Sequence, residues 1–183
     1  MSRARRTPQR PRRLWRPPLE SLYAREDDRV RRRWRRSLPL GELLFDRWRR
    51  ARRLGFGAGT SIYHHSYVFG DVAVGENTWI GPYTLLDGSG CLRIGSWCSI
   101  SAGVQIYTHS TVRWAVTGGG SPYEYAPVAI GDRCFIGPLS VVAAGVDVGD
   151  GCVIGAHSYV DADLPPGVVA VGAPARIVRA AEA

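Results

Sequence analysis

The chain has 183 residues and a formal net charge of +8, a length that suits one modest domain. It has no apolar run of the ~18 residues needed to cross a bilayer, and no apolar signal-peptide segment follows its basic start. We therefore expect a cytoplasmic protein. Nineteen arginines lie in residues 1–53 and only five in residues 54–183. The basic character thus belongs to the N-terminal arm.

Residues 1–36 combine arginine with proline, and this composition buries too little apolar surface to form a core. We expect a flexible basic arm, within which residues 21–36 could form a helix. The arginine run at 31–36 has two functional interpretations, binding to an anionic membrane surface or to nucleic acid. A solvated tail is the simpler interpretation, and no nucleic-acid motif supports the second partner.

Residues 37–55 form the next predicted element, an amphipathic helix. Its apolar stripe consists of Leu40, Leu43, Leu44, Trp48, Ala51 and Leu54. Pro39 suits a first helical turn and Gly55 suits a helix end. Because the repetitive segment that follows has an open apolar end, we expect this helix to cap it.

From residue 62 onward, aliphatic residues recur every six positions. These rungs are Ile62, Val68, Val74, Ile80, Leu86, Ile94, Ile100, Ile106, Ile130, Ile136, Val142, Val148, Ile154 and Val160. A period of six fits neither a helix nor a simple strand, and it is typical of a solenoid built from short strands and corners. Three hexads close one triangular coil, so the rungs predict four to five coils.

A second position of the hexad, four residues after the rung, holds a small side chain. It includes Ser66, Val72, Thr78, Thr84, Cys98, Val104, Cys134, Ser140, Val146, Cys152 and Ser158. We expect the cysteines here to be buried as small apolar residues without disulfides. Glycine often follows the rung directly, which we interpret as a tight corner that disfavours a Cβ.

The ladder is interrupted twice. Its phase slips by two residues at the turn signal Asp87-Gly88-Ser89-Gly90, and residues 107–129 form a long insertion rich in aromatic side chains. Long loops on a regular scaffold are usually functional or disordered, and the aromatic content favours an ordered, functional loop.

Three features together resemble the hexapeptide-repeat acyltransferases, in particular the maltose, galactoside and lipopolysaccharide O-acetyltransferase group. These are rungs of the form [LIV]-G-x-x-[small]-x, a Thr108-His109 step before the long loop, and a tail with Leu164-Pro165-Pro166 and Gly172-Ala173-Pro174-Ala175-Arg176. The resemblance covers residues 56–179. It does not extend to the N-terminal arm.

This resemblance implies an all-β solenoid, a left-handed parallel β-helix preceded here by the helical cap and the basic arm. It also implies a homotrimer with active sites at the subunit interfaces. The expected reaction transfers acetyl from acetyl-CoA to a hydroxyl of a sugar or a sugar-containing glycan precursor, with no metal and no covalent intermediate.

The resemblance also assigns roles to individual residues. His109 matches the family's catalytic base, a suitable role for an imidazole because an alcohol must lose its proton to attack. The residues expected at the acceptor are Asp87, Trp114, Tyr123, Glu124, Tyr125 and Phe135. Those expected at the cofactor are Pro138, Ala156, Asp161, Ala162, Arg176 and Arg179. The sequence does not identify the residue that orients His109. For Asp87 a purely turn-forming role is equally compatible.

Other functions remain open at this point. An antibiotic, serine or an amino-sugar nitrogen could replace the sugar hydroxyl as acceptor, and a trimeric scaffold could keep the fold without the chemistry. The same solenoid also builds γ-class carbonic anhydrase-like proteins, which hold zinc with three histidines. The four histidines of this chain lack the short spacing that such a site needs, so we expect no metal.

Overall fold

The computed structural model describes residues 17–181. Contacts divide the chain into two units, one ending at Leu43 and one beginning at Leu44. Within the predicted basic arm, helix α1 spans Pro17–Trp34, so it begins and ends earlier than the helix that the sequence allowed over residues 21–36. Of the flexible arm predicted for residues 1–36, residues 1–16 lie outside the described residues. None of the described helices is long and apolar enough to cross a membrane.

The single helix predicted over residues 37–55 is wrong, because two short helices, α2 (Leu40–Leu44) and α3 (Arg47–Arg53), occupy this stretch. The break falls at Asp46, whose backbone is extended and whose carboxylate accepts the Arg49 N–H at 2.7 Å. Asp46 is thus a helix N-cap, and an N-cap cannot continue the preceding helix. This capping signal was present in the sequence and outweighs the apolar stripe.

Helix α3 packs on the first coil of the solenoid. Its Ala51 is fully buried in the same core cluster as Phe56 and Ile62. Arg50 donates hydrogen bonds to the backbone carbonyls of Tyr63 and Ser66, the second at 2.6 Å. The helix therefore covers apolar side chains and satisfies carbonyls that the open end would leave exposed.

The remainder of the chain is a left-handed parallel β-helix with short strands on three faces. Face A contains β1 (Ser61–Ile62), β3 (Trp79–Ile80), β5 (Ser99–Ile100), β10 (Phe135–Ile136), β13 (Val153–Ile154) and β15 (Val168–Val171), with β16 (Arg176–Ala180) antiparallel at its end. Two longer strands, β2 (Tyr67–Val74) and β4 (Leu85–Ile94), turn a corner and contribute to both other faces. Face B adds β6 (Gln105–Ile106), β11 (Val141–Val142) and β14 (Tyr159–Val160). Face C adds β9 (Val128–Ile130) and β12 (Asp147–Val148). The insertion carries β7 (His109–Ser110), helix α4 (Val112–Val116) and β8 (Glu124–Tyr125).

The predicted ladder is confirmed in register. Ile62 pairs with Ile80, Ile80 with Ile100, and Ile100 with Ile136, so successive coils stack rung upon rung. The prediction of four to five coils was too low, since the solenoid has about six turns. The tail supplies the difference: Leu164 bridges to Val148 and Ala170 pairs with Ile154, which makes both of them buried rungs.

The small-residue position forms buried hydrogen-bonded columns. The Thr78 hydroxyl donates to the Gly95 carbonyl at 2.9 Å and accepts the Cys98 N–H at 3.0 Å. The thiols of Cys98 and Cys134 lie in the same column and donate to carbonyls of the next coil. Cys98, Cys134 and Cys152 are buried free thiols, as the sequence predicted.

The explanation first given for the glycines after the rungs is wrong. The left-handed corner conformation falls two residues later, for example at Asn77 with φ 54° and at Leu139 with φ 60°. The rung-following glycines are needed for close approach instead: a Cβ on Gly81 would lie 2.7 Å from the Ala102 nitrogen of the next coil. Stacking distance, rather than corner geometry, therefore excludes a side chain there.

Candidate active site

The two-residue slip in the ladder creates a turn that buries a carboxylate. Asp87 follows the rung Leu86 within β4, and its side chain is 1% exposed. Its Oδ1 accepts the Ser89 N–H at 3.0 Å and the Ser89 hydroxyl at 2.6 Å. These two bonds form an Asx turn, so the slip holds the Asp87 carboxylate in one orientation.

Thr108 joins this turn to the start of the long loop. It is fully buried, and its N–H donates to Asp87 Oδ2 at 2.9 Å. Its hydroxyl donates to the Asp87 carbonyl and accepts the Gly90 N–H, both at 2.8 Å. The turn and the loop entrance are thus fixed to each other at adjacent coils.

His109, the next residue, lies with Nδ1 2.5 Å from Asp87 Oδ2. Since a carboxylate can only accept this bond, Nδ1 carries the proton and Nε2 keeps its lone pair. The His109 side chain is 30% exposed, and its strand β7 pairs with β8, which places His109 opposite Tyr125. The arrangement is a partly exposed histidine held by a buried aspartate, which suits a general base.

The charge of Asp87 supports this role. Burial alone would raise the pKa of its carboxyl group, but hydrogen bonds from the Ser89 hydroxyl, the Thr108 N–H and His109 outweigh it and hold the pKa well below the usual range. Asp87 is therefore anionic at neutral pH. It can keep the His109 tautomer fixed and stabilise an imidazolium that forms beside it.

The prediction that Asp87 binds the acceptor is wrong. Its side chain is buried, and its oxygens are occupied by Ser89, Thr108 and His109 of the same chain. An incoming hydroxyl has no access to it. The structure instead makes Asp87 the residue that orients His109, which the sequence could not identify.

The insertion places aromatic side chains beside His109. The Tyr125 ring is centred 6.2 Å from the His109 ring, and Trp114 packs edge-on against Tyr123 at 5.5 Å. Glu124 pairs with Arg113 at 3.3 Å. These four residues of the predicted acceptor set thus lie on the hairpin that carries His109.

Phe135, the remaining member of that set, lies elsewhere. It belongs to face A, where it pairs with Ser99 and Val153, whereas His109 follows the face B strand β6. Within one chain the structure does not bring Phe135 to His109. A role at the same site would require a second copy of the chain.

The predicted cofactor residues fall at two corners. Pro138 and Ala156 lie one coil apart at the corner after face A, where the His157 N–H donates to the Pro138 carbonyl at 2.9 Å. Asp161 and Ala162 follow the face B strand β14. Arg176 lies 3.7 Å from Asp161, so these two predicted residues meet as an ion pair. Arg179 lies on the exposed strand β16.

Sequence reasoning missed Ser89 and Thr108, which hold Asp87 in place. A local signal existed for Ser89, because Asp-x-Ser in a glycine-rich turn favours an Asx turn. For Thr108 the signal was weaker, because the sequence showed only that it precedes the predicted base His109. Among residues 17–181 no cluster of three or more histidine, cysteine or acidic side chains has a metal-binding arrangement.

Comparison with known proteins agrees with this fold. Residues 127–162 match the family described as "Bacterial transferase hexapeptide (six repeats)". Galactoside O-acetyltransferase of Escherichia coli K12 is 32% identical over 127 residues, which cover 58% of this chain and 62% of the relative. These findings confirm the predicted resemblance to the hexapeptide-repeat transferases. The chain spans about 62% of the length of this curated relative.

Solved structures share the architecture at lower identity. The hexapeptide-repeat acetyltransferase VCA0836 of Vibrio cholerae superposes with a TM-score of 0.58 at 24% identity, covering 89% of this chain and 90% of that chain. AntD, an N-acyltransferase of Bacillus cereus crystallised with dTDP and coenzyme A, gives a TM-score of 0.62 at 21% identity, covering 73% and 89%. At these identities the likeness concerns the fold.

Proposed function

We propose that the protein is an acetyl-CoA-dependent O-acetyltransferase that acts on a hydroxyl of a sugar or a sugar-containing glycan precursor. The observation that carries this proposal is the pair formed by His109 and Asp87, with its 2.5 Å contact and the partial exposure of the His109 side chain. The 32% identical relative is a galactoside O-acetyltransferase, which is compatible with a sugar acceptor.

The proposed chemistry follows from that pair. His109 Nε2 accepts the proton of the acceptor hydroxyl as its oxygen attacks the carbonyl carbon of the thioester. The buried anionic Asp87 stabilises the imidazolium formed in this step. When the carbon–sulfur bond breaks, the imidazolium returns the proton to the departing thiolate. The products are an acetyl ester and CoA thiol, and no acyl-enzyme is required.

The hairpin beside His109 supplies the acceptor surface in this proposal. Trp114, Tyr123 and Tyr125 are all partly or fully exposed, and aromatic faces of this kind pack well against the apolar faces of sugar rings. Glu124 can accept a hydrogen bond from a sugar hydroxyl, although its pairing with Arg113 fixes one of its oxygens.

For the donor, we propose that the corner at Pro138 and Ala156 contacts acetyl-CoA through backbone groups. Arg179 and Arg176 would meet its phosphates, because guanidinium groups donate several hydrogen bonds to phosphate. The exposed Arg176 lies 3.7 Å from Asp161, so a phosphate would have to share its guanidinium with this carboxylate.

We further propose that the working form is a homotrimer in the cytoplasm. His109 extends from face B, whereas Phe135 and Pro138 belong to face A and the corner after it. A neighbouring copy that presents its face A corner to His109 would bring the two halves of the site together. Sedimentation analysis of the purified protein tests the trimer directly.

The proposed activity is tested by measuring CoA-thiol release from acetyl-CoA with sugars, nucleotide sugars, amino sugars, antibiotics and serine as acceptors. We expect turnover with a sugar hydroxyl, and a loss of about 10²- to 10⁴-fold in His109→Ala. His64→Ala is the matched control, because His64 stacks on Phe45 beside the first coil. Turnover with amino sugars alone would show that the acceptor atom is a nitrogen rather than a hydroxyl oxygen. Failure to bind acetyl-CoA would favour a trimeric scaffold protein without acetyltransferase activity.

A further inference from the structure

A surface pocket lies at the C-terminal end of α1, outside the proposed active site. It is lined by Arg31, Arg35, Arg36 and Ser37. The three arginines among these residues bring three positive charges to this end of the helix, and such charges repel each other less when an anion binds between them. Arginine suits phosphate oxygens, because each guanidinium donates several hydrogen bonds.

The acidic residues of α1 neutralise only part of the positive charge at this end of the helix. Glu26 binds Arg29 at 2.9 Å, and Asp27 forms a long ion pair of 4.0 Å with Arg31. Among residues 17–181, no carboxylate pairs with Arg35 or Arg36. The last turn therefore presents its positive charge to solvent. The negative end of the helix dipole explains a preference for cations here, but not their convergence on a pocket.

The backbone at Arg35 indicates that an arginine is placed there for its side chain. Arg35 has φ 53°, in the left-handed region, and its N–H bonds to the Arg31 carbonyl at 2.9 Å. This is the position after a helix end that glycine or asparagine normally occupies. An arginine costs about 1 kcal/mol more than glycine in this conformation, and it adds a guanidinium to the pocket.

Exposed apolar side chains accompany the charge. Trp34 is 61% exposed with the Arg33 guanidinium 5.1 Å from its ring centre, and Leu19 on the same stripe is 54% exposed. Indole and guanidinium side by side are typical of helices that lie at a lipid–water interface. Nucleic acid could also neutralise the arginines, but its phosphate backbone would not bury an exposed leucine as a lipid–water interface does.

We propose that the end of α1 formed by residues 31–37 binds the phosphate groups of an anionic phospholipid surface, with Trp34 at the interface. The lipid phosphate occupies the pocket of Arg31, Arg35 and Arg36. This binding would hold the enzyme at a membrane, where lipid-linked acceptors are found. It is independent of the proposed acetyl transfer, and its test uses no activity measurement.

The test is co-sedimentation of the full-length protein with vesicles of phosphatidylcholine alone or mixed with phosphatidylglycerol. We expect binding only to the anionic vesicles and a decrease as salt rises. The triple variant Arg31→Gln, Arg35→Gln, Arg36→Gln should lower the partition coefficient on the order of a hundredfold. Trp34→Ala should lower it about tenfold without altering the salt dependence.

Two variants separate a pocket from diffuse charge and from misfolding. Arg3→Gln, Arg5→Gln, Arg6→Gln removes the same charge from the part of the arm that precedes the described residues, and it should lower binding less than tenfold. Arg35→Gly relieves the left-handed backbone, so its helix is not weakened, and it should still lower binding about fivefold.

Three outcomes would overturn the proposal. Equal losses in the two triple variants would show that only net charge matters. Tighter binding to DNA than to anionic vesicles at equal phosphate concentration would identify nucleic acid as the partner. Displacement from vesicles by millimolar inorganic phosphate at constant ionic strength would identify a site for a free phosphate ligand.

Discussion

The carboxylate of Asp87 and the imidazole of His109 meet at 2.5 Å although 22 positions separate them in the chain. They meet because stacked coils place the residues after Leu86 and Ile106 next to each other, and the slip at Asp87 turns its carboxylate toward the following coil. The regular ladder therefore aligns the two coils, and the two-residue slip at Asp87 supplies the carboxylate.

Replacing Asp87 by asparagine should lower kcat by about 10²- to 10⁴-fold, because the amide can donate to Nδ1 and favour the unproductive tautomer. KM should change little, since Asp87 does not touch substrate. Steady-state kinetics with the acceptor found in the screen gives both constants. Asp71→Asn is the control, because Asp71 is an exposed carboxylate paired with Arg93 at 2.7 Å. Equal effects in the two variants would remove Asp87 from the mechanism.

The same carboxylate should make stability depend on pH. Its pKa in the folded protein lies below the ordinary 3.8, so its ionised form stabilises the fold above pH 3.8. That contribution is lost as pH falls below 3.8 toward the folded pKa. At pH 5 we expect this contribution in full, as a lower unfolding free energy of Asp87→Asn than of wild type. Urea titrations should show it shrinking below pH 4; growth on acidification would contradict this assignment.

Thr108→Val should destabilise the fold and slow the reaction together. The change removes a buried hydroxyl that bridges the Asp87 carbonyl and the Gly90 N–H. Leaving both groups unpaired costs about 2–4 kcal/mol. Thr111→Val is the matched control, because the Thr111 side chain makes no capping bond to α4. Denaturant midpoints for the two variants, compared with wild type, would differ clearly if the bridge matters.

The ion pair between Asp161 and Arg176 should limit donor binding. Asp161→Asn frees the guanidinium for phosphate and should lower the KM for acetyl-CoA about two- to fivefold at low salt. Arg176→Gln and Arg179→Gln should each raise it. An unchanged KM in all three variants would place the CoA phosphates elsewhere.

Much of the fold could be predicted from the sequence, because a period of six places an aliphatic side chain at the same position on each face of every coil. Each rung from Ile62 to Val160 lies where its spacing predicts. The tail was harder, because Leu164 and Ala170 continue the ladder without the six-residue phase that identified the others. The break at Asp46 was missed because its side chain caps a new helix, and this local effect outweighs the apolar pattern that predicted one continuous helix.

The site was only partly predictable. The family resemblance pointed to His109 at the start of the insertion, and the structure pairs it with Tyr125 in the β7–β8 hairpin. Asp87 was found but given the wrong partner, because spacing does not reveal that a two-residue slip buries a side chain. Contacts between copies of the chain leave no periodic signal in the sequence. The role of Phe135 at the acceptor site, which would need a second copy, therefore stays a prediction.

A double-mutant cycle measures the central claim most directly. CoA-thiol release is followed for wild type, Asp87→Asn, His109→Ala and the double variant with one sugar acceptor. If the two residues act as one unit, the double variant is no slower than His109→Ala, whose loss is about 10²- to 10⁴-fold. Losses that multiply, or a His109→Ala variant as active as wild type, would contradict the account.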